Sequence, residues 1–434
     1  MTFTNILFLF YFLPIILILY FLAPRKHRNT ALFAGSLVFC AWGEPLCFLA
    51  FLFVMLMSYL CTLKITKLKD TKKRKILYSL TLSLIVLFFL SINIAHRFLP
   101  FINSLNYIGF LFVTFRLISF VTDIYKNDQE QKLSFINFGT YTAMFPIMIA
   151  GPFTNYSEFE TQLTSRIGTI EGFSRGLMRF TVGLFKKVLI ADILFTLWLS
   201  IKQTPTAELS VASAWLGLVT FGFSVYYSLS GYSDMAIGLG KMFGFQLEEN
   251  FNYPIMSISV TDFVKRWFIS PARWIKQYIT DNLKVKLWVR VFIFAMLFGL
   301  IHGAGFNFIL WGMYLALILT LEKVLSSKTT RKFPKLSKWI YTAFLVTSGW
   351  VLFANNNLLE IFNYIKAMFG LSGNAFMSQA FLYDVSSNSI TLIVAMLSAF
   401  PFGAKLAREY IEKNPMYALV PTFLGIVLCL AYII

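Results

Sequence analysis

Long apolar segments separated by short polar loops run through this chain from end to end. The first covers residues 3–22 and is long enough to cross a hydrocarbon layer of about 30 Å. Further apolar stretches recur near 30–43, 46–62, 76–95, 105–122, 136–150, 176–200, 209–242, 287–301, 305–325, 338–353, 388–403 and 415–434. Several are too short or too long for one straight crossing. The pattern therefore predicts broken or re-entrant helices among them, packed inside protein where freed backbone groups find partners. The stretch 209–242 is long enough to hold two elements. The expected fold is all-α, a polytopic integral membrane protein of about 11–13 transmembrane or re-entrant helices. With no repeat and no Pro/Gly-rich linker, residues 1–434 are expected to form one membrane-embedded domain. The opening apolar run is too long for a signal peptide and no small-residue cleavage site follows it, so it is expected to stay in the mature protein.

Composition supports this reading, since 58% of the 434 residues are hydrophobic and 13% are charged, about half the charged share of soluble domains. A water-soluble core cannot bury that much apolar surface. The net charge of +18 is gathered in loops at 25–28, 64–75 (KITKLKDTKKRK), 328–338 and 405–413, whereas 43–45 and 371–388 carry almost none. The positive-inside rule puts the basic loops in the cytoplasm, and both termini then face outward. Topology accounts for these runs; attraction of an anionic cytosolic donor is the sharper alternative. Membrane lipids are the expected surroundings, and no pattern for nucleic-acid binding is present.

Residues 243–286 resist a simple span. Their mixture of aromatic and basic side chains suits an interfacial or re-entrant segment. Asp262 and Arg266, spaced i,i+4, can pair on a helix. Cys40, Cys47, Cys61 and Cys429 lie in apolar segments without CxxC spacing or a neighbouring histidine, so packing is expected and no metal site. Gly238, Gly240 and Gly244 miss the dinucleotide fingerprint by one residue and fit small-residue helix packing better.

There are three histidines. His27 sits in a basic loop and His96 at the end of a span, both suited to a wet surface. His302 lies between strongly apolar stretches in LFGLIHGAGFNFILWGMY, where every polar group is costly. Gly303, Ala304 and Gly305 follow, letting a backbone or ligand approach the ring and letting the helix break. An imidazole there can take a proton from a hydroxyl; a helix-packing histidine is the plainer alternative. There is no GxSxG, HExxH or Walker A sequence, and an HxxxxD pattern fails because the fifth residue after His302 is Asn307.

The segments GSLVFCAWGEP, GFLFVTFRLISFVTDIY, MFPIMIAGPFTNYSEFETQL, GLMRFTVGLFKKVLIADIL, SGYSDMAIGLGKMFGFQLEENFNYP, TDFVKRW and GLIHGAGFNFILWGMY occur in that order and cover most of residues 1–325. Together they resemble the membrane-bound O-acyltransferase family. The likeness is strongest to its bacterial alginate O-acetylation branch, with the teichoic acid D-alanylation membrane proteins more distant. The resemblance implies helices arranged around a central catalytic funnel, with His302 of the HGA motif as catalytic base. Two departures stand out. The family's RRWHIS reads Lys265-Arg266-Trp267-Phe268-Ile269-Ser270, so Phe268 replaces a second family histidine. The family's FDFSGYSD reads Tyr227-Ser228-Leu229-Ser230-Gly231-Tyr232-Ser233-Asp234, losing the earlier acid.

The resemblance further implies an acyl thioester such as acetyl-CoA as co-substrate, with no tightly bound cofactor, and a hydroxyl acceptor approaching from the outer side. Asn307 is a candidate for the oxyanion, and Asp234, Asp262, Arg266 and Trp267 are candidate supporting residues. An extracytoplasmic acyltransferase or carrier partner, a polysaccharide acceptor, and residence in the bacterial cytoplasmic (inner) membrane follow from the same branch. The competing readings are a transporter or channel and a catalytically inactive scaffold; a transporter predicts several intramembrane charges and often repeated halves.

Overall fold

A computed structural model of the chain describes residues 2–42, 45–98, 104–127, 133–303, 305–325, 333–403, 405 and 419–433, without side chains for 45–47, 93–98, 104–110, 325 and 419. Among the described residues every regular element is helical. They fall into two compact units, Met1–Phe180 with Tyr232–Glu248, and Thr181–Gly231 with Glu249–Ile434.

The first unit contains α1 (Leu13–Leu22), α2 (Arg28–Ala41), α3 (Pro45–Lys67), α4 (Thr71–Phe98), α5 (Ser104–Lys126), α6 (Phe135–Ala143), α7 (Tyr156–Ser165) and most of α8 (Ile170–Phe185). The second contains α9 (Asp192–Gln203), the first part of α10 (Val211–Met242), α11 (Val260–Arg266), α12 (Ile269–Tyr278), α13 (Leu287–Leu300), α14 (Phe306–Leu325) and α15 (Lys335–Ala354), followed by α16 (Leu358–Met368), α17 (Gln379–Ser387), α18 (Ser389–Ser398) and α19 (Leu419–Ile433).

Among the described residues, four helices are long and apolar enough to cross a membrane by length and composition, Phe48–Lys67, Thr71–Ile92, Val211–Met242 and Phe306–Val324. A fifth is added if α17 and α18, bent by 64° at Asn388, count as one span. Much of the remaining expected crossing is broken, for identifiable reasons. The 176–200 stretch is interrupted by a π-helical turn, Lys186–Ala191, where the Lys187 ammonium meets the Asp192 carboxylate. The 136–150 stretch yields only the nine-residue α6 before Pro146 enters a 3-10 turn over Phe145–Ile147, because proline has no N–H to continue the ladder. The 209–242 stretch, in contrast, is one unbroken helix of 32 residues.

Small residues set the closest approaches in the first unit. A Cβ on Gly176 of α8 would lie 2.6 Å from the Gly238 carbonyl of α10, and one on Gly238 would meet the Gly176 carbonyl at the same distance. Helix packing thus accounts for Gly238, as the sequence suggested. Across this contact Arg179 donates from Nε and Nη2 to Asp234 Oδ1, the former at 2.8 Å. The fully buried Arg116 of α5 donates to the Tyr141 and Thr142 carbonyls at the end of α6 and to the Ile147 carbonyl. These oxygens have no intrahelical partner, so an apolar interior keeps a guanidinium as a C-terminal cap. Cys40 and Cys61 are half-buried free thiols and Cys429 is a buried one; the side chains of Cys47 and His96 lie outside the described residues.

Candidate active site

In the second unit, α13 and α14 form a hairpin whose contact is made by glycines. A Cβ on Gly299 would sit 2.6 Å from the Phe308 carbonyl, and one on Gly312 would sit 3.0 Å from the Ala295 carbonyl. Without side chains at these positions the two backbones can touch. The end of α13 tightens into i→i−3 bonds, His302 N–H to the Gly299 carbonyl at 3.0 Å and Gly303 N–H to the Leu300 carbonyl at 3.2 Å. Gly303 then takes φ +150°, and a Cβ there would strike the Phe308 ring at 2.4 Å. Only glycine satisfies both demands. The sequence therefore turns sharply immediately after the histidine; Ala304 lies outside the described residues.

The turn leaves the His302 ring half-buried in an aromatic cage. Ring centroids lie at 5.2 Å to Phe353, 5.4 Å to Trp311, 5.8 Å to Phe298, 6.2 Å to Phe268 and 6.5 Å to Phe308. His302 Nδ1 is 3.0 Å from the Phe298 carbonyl oxygen. A carbonyl only accepts, so in the neutral ring Nδ1 carries the hydrogen and Nε2 keeps its lone pair. This is the arrangement a general base requires: one nitrogen anchored, the other ready to receive a proton. Beside the cage, Phe263, Trp311, Tyr314, Leu345 and Trp350 line a narrow apolar cleft.

Trp267 and Phe268 occupy the joint between α11 and α12. Phe268 adopts φ +47°, a left-handed backbone unusual for a bulky residue, and such strain costs about 1–3 kcal/mol. Asn250 holds the joint, since its main-chain carbonyl accepts from Ile269 N–H at 2.8 Å and its Oδ1 from Ser270 N–H at 3.2 Å. The strained turn presents the Phe268 ring to His302, so the position of the second family histidine is one wall of the cage. Trp267 is buried against Phe263 at 5.2 Å, Phe251 and Trp350 at 5.5 Å each, and its Nε1–H has no hydrogen-bond partner among the described residues. Trp350 in turn stacks on Trp311 at 6.3 Å.

The other residues singled out from the sequence have different partners. Asn307 is buried and donates from Nδ2 to the Phe353 carbonyl at 3.1 Å, so it holds a cage element in place. Asp262 and Arg266 form the expected i,i+4 pair at 2.9 Å. That pair steadies the start of α11 together with Glu322 of α14, which accepts from Val260 N–H at 2.7 Å and Thr261 N–H at 2.8 Å. Asp234 belongs to the first unit and is held there by Arg179. Sequence reasoning missed Glu322, Phe298, Phe308, Trp311 and Phe353. Aromatic residues are so frequent here, 18% of the chain, that nothing in the sequence singles out these four.

Comparisons with known proteins identify the family. Residues 125–362 match the profile of the membrane-bound O-acyltransferase family. The chain is 34% identical over 430 residues to the probable alginate O-acetylase of Pseudomonas aeruginosa, covering 93% of this chain and 82% of that one. It is 33% identical over 252 residues to the peptidoglycan O-acetyltransferase of Helicobacter pylori, covering 55% and 47%. The teichoic acid D-alanyltransferase of Bacillus subtilis is more distant, 22% identical over 236 residues, covering 50% and 59%.

Proposed function

The chain belongs to the membrane-bound O-acyltransferase family, and from that premise we propose that it moves an acetyl group from a cytosolic thioester to a hydroxyl, with His302 as the general base. Membership makes the protein a membrane-embedded O-acyltransferase and displaces the transporter reading. The observation that carries the finer assignment is the anchored Nδ1 of His302, which leaves Nε2 as a lone-pair acceptor inside an aromatic cage. Nε2 takes the proton from the acceptor hydroxyl as its oxygen attacks the thioester carbon. The carbon–sulfur bond then breaks, and the thiolate leaves and takes up that proton. Thiols have a reference pKa of about 8.5, so a thiolate is a far better leaving group than an alkoxide.

Phe268 stands in the wall of the cage where the family has its second histidine. Phe268 has no proton to exchange, so in this chain the whole acid-base task falls to His302. Trp267 supports the reading as a second candidate group, since its unpaired N–H belongs to the same aromatic assembly and suits a developing oxyanion. Asn307 acts indirectly by holding Phe353; Asp262 and Arg266 act by steadying α11, and Asp234 by fixing the α8–α10 contact. All 434 residues then serve one acyltransferase domain. The relatives' activities favour a polysaccharide acceptor, alginate-like or cell-wall. An outer-side hydroxyl and a cytosolic donor fit residence in the bacterial inner membrane, with an extracytoplasmic acyltransferase or carrier relaying the group.

The test uses protein purified in lipid, given acetyl-CoA and a hydroxyl acceptor. An acetyl ester on the acceptor, detected by mass, is the expected product. Thiol release without any ester marks a hydrolase, and failure to consume any acyl thioester returns the chain to the scaffold reading.

A further inference from the structure

Within the first unit, two arginines share one aromatic ring. The Arg28 guanidinium lies 5.4 Å from the centroid of Tyr20, and that of Arg166 lies 5.9 Å from the same centroid. Arg28 also lies over Phe21 at 5.8 Å, and Arg166 over Phe245 at 4.1 Å. Tyr20 is itself fixed, buried and donating to the Phe243 carbonyl at 2.7 Å. Two cations are thus held side by side, and neither has a carboxylate partner among the described residues. The nearby Glu171 of α8 is committed to Arg175 at 2.6 Å.

The surroundings add positive charge. Arg28 is the first residue of α2, a helix end with no acid in its first turn and no side-chain cap, where the macrodipole is also positive. Arg25 and Lys26 lie three and two residues before it. Burial lowers the Arg166 pKa from its ordinary value; Tyr20 opposes this, and the Arg28 charge adds to it. Without an anion this arrangement is repulsive, as like charges at close range destabilise one another.

The way the guanidinium groups are held leaves their edges available. Ring faces grip a guanidinium by its plane, whereas phosphate oxygens are bound through in-plane N–H groups. Arg166 uses Nε on Tyr20 Oη and the Phe243 carbonyl, both at 3.2 Å, and Nη1 on the Gln162 and Leu163 carbonyls; its Nη2 is left. The Arg28 N–H groups make no hydrogen bond to the described residues, and its Nε is shielded from water. Its Nη1 lies 3.9 Å from the Cβ position of Gly168, so the 166–169 turn closes the other side. Both side chains remain partly exposed.

We propose that Arg28 and Arg166 form a binding site for a phosphate group, supplied either by a phosphorylated thioester donor such as CoA or by an anionic phospholipid headgroup. The first source rests on the donor chemistry proposed above; the second does not. The 25–28 loop is among those the charge pattern assigns to the cytoplasm, the side on which both sources occur.

The experiment measures binding rather than turnover. Full-length protein in phosphatidylcholine nanodiscs is titrated with CoA, and in a second arm the retention of phosphatidylglycerol is followed by native mass spectrometry. Wild-type protein is expected to bind one of the two, and Arg28→Gln to weaken that binding about tenfold or more, the size of one or more lost charge-assisted bonds. The melting temperature should hold, since ring faces alone grip Arg28. Arg166 also ties the fold together, so Arg166→Lys, which keeps the charge, serves there and should retain most of the binding. The His302→Ala variant should bind as wild type does, so loss of catalysis and loss of the phosphate site read separately. Binding of neither ligand by wild-type protein, or equal binding by Arg28→Gln, overturns the proposal.

Discussion

Arg116 and His302 are both polar side chains set in strongly apolar helical surroundings, and they teach opposite lessons. Arg116 gives N–H groups to three main-chain carbonyls at the end of α6 and just beyond it. It has no lone pair to offer, so it can finish a helix but cannot accept a proton. His302 gives one nitrogen to one carbonyl and keeps the other. A costly polar group in an apolar segment is thus not in itself evidence of catalysis. What distinguishes the two is the bonding capacity left after the fold has been served.

Substitutions at and around the two residues test this contrast. The largest effect is expected at His302, where removing the proposed base should lower turnover by about 10²–10⁴-fold with the fold intact, because among the described residues its side chain bonds to the Phe298 carbonyl alone, one turn back along the chain. Next comes Arg116→Met, which leaves three buried carbonyls without donors and should cost about 3 kcal/mol or more of stability, read as a fall in melting temperature. Turnover per folded molecule should stay near wild type. If folded Arg116→Met protein is inactive, the division between the two residues is wrong.

Gly303→Ala probes how the imidazole is held. Its backbone angle and the Phe308 ring both exclude a Cβ, so the substitution should destabilise the protein by about 1–3 kcal/mol and displace the imidazole. Activity should then fall further than stability alone explains, as measured by turnover against folded fraction. The smallest effect is expected from Asp262→Asn. Its partner Arg266 is about one-third exposed, and such pairs contribute about 1 kcal/mol or less. Turnover within a few-fold of wild type, in a protein with nearly unchanged melting temperature, is the expected result. A hundredfold loss would move Asp262 into the chemistry.

Legibility in the sequence followed the range of the interactions. The apolar segments, the Asp262–Arg266 pair and the glycine turn after His302 are local, and the sequence expressed them through spacing and composition. The unbroken α10 was ambiguous because the 209–242 stretch is long enough for two elements, and Gly238 serves the close contact with α8 rather than a break. The π-helical turn at Lys186–Ala191 had no composition of its own. The cage was the least legible part. Phe353 lies about fifty residues beyond His302 and reaches it only because α14 and α15 pack together, with the Asn307 side chain tying the Phe353 carbonyl. Glu322 falls near the end of the apolar stretch 305–325, and its service to the first N–H groups of α11 depends on α11 packing against α14.

The role of His302 is tested most directly by thiol release from acetyl-CoA, measured on purified protein in lipid with and without a hydroxyl acceptor, comparing the unmodified chain with His302→Ala. Acceptor-dependent release is expected from the unmodified chain. Its loss, by about a hundredfold or more, is expected in a variant that melts at the same temperature. Equal release by both proteins would contradict the assignment and would take the proton-transfer role away from the caged imidazole.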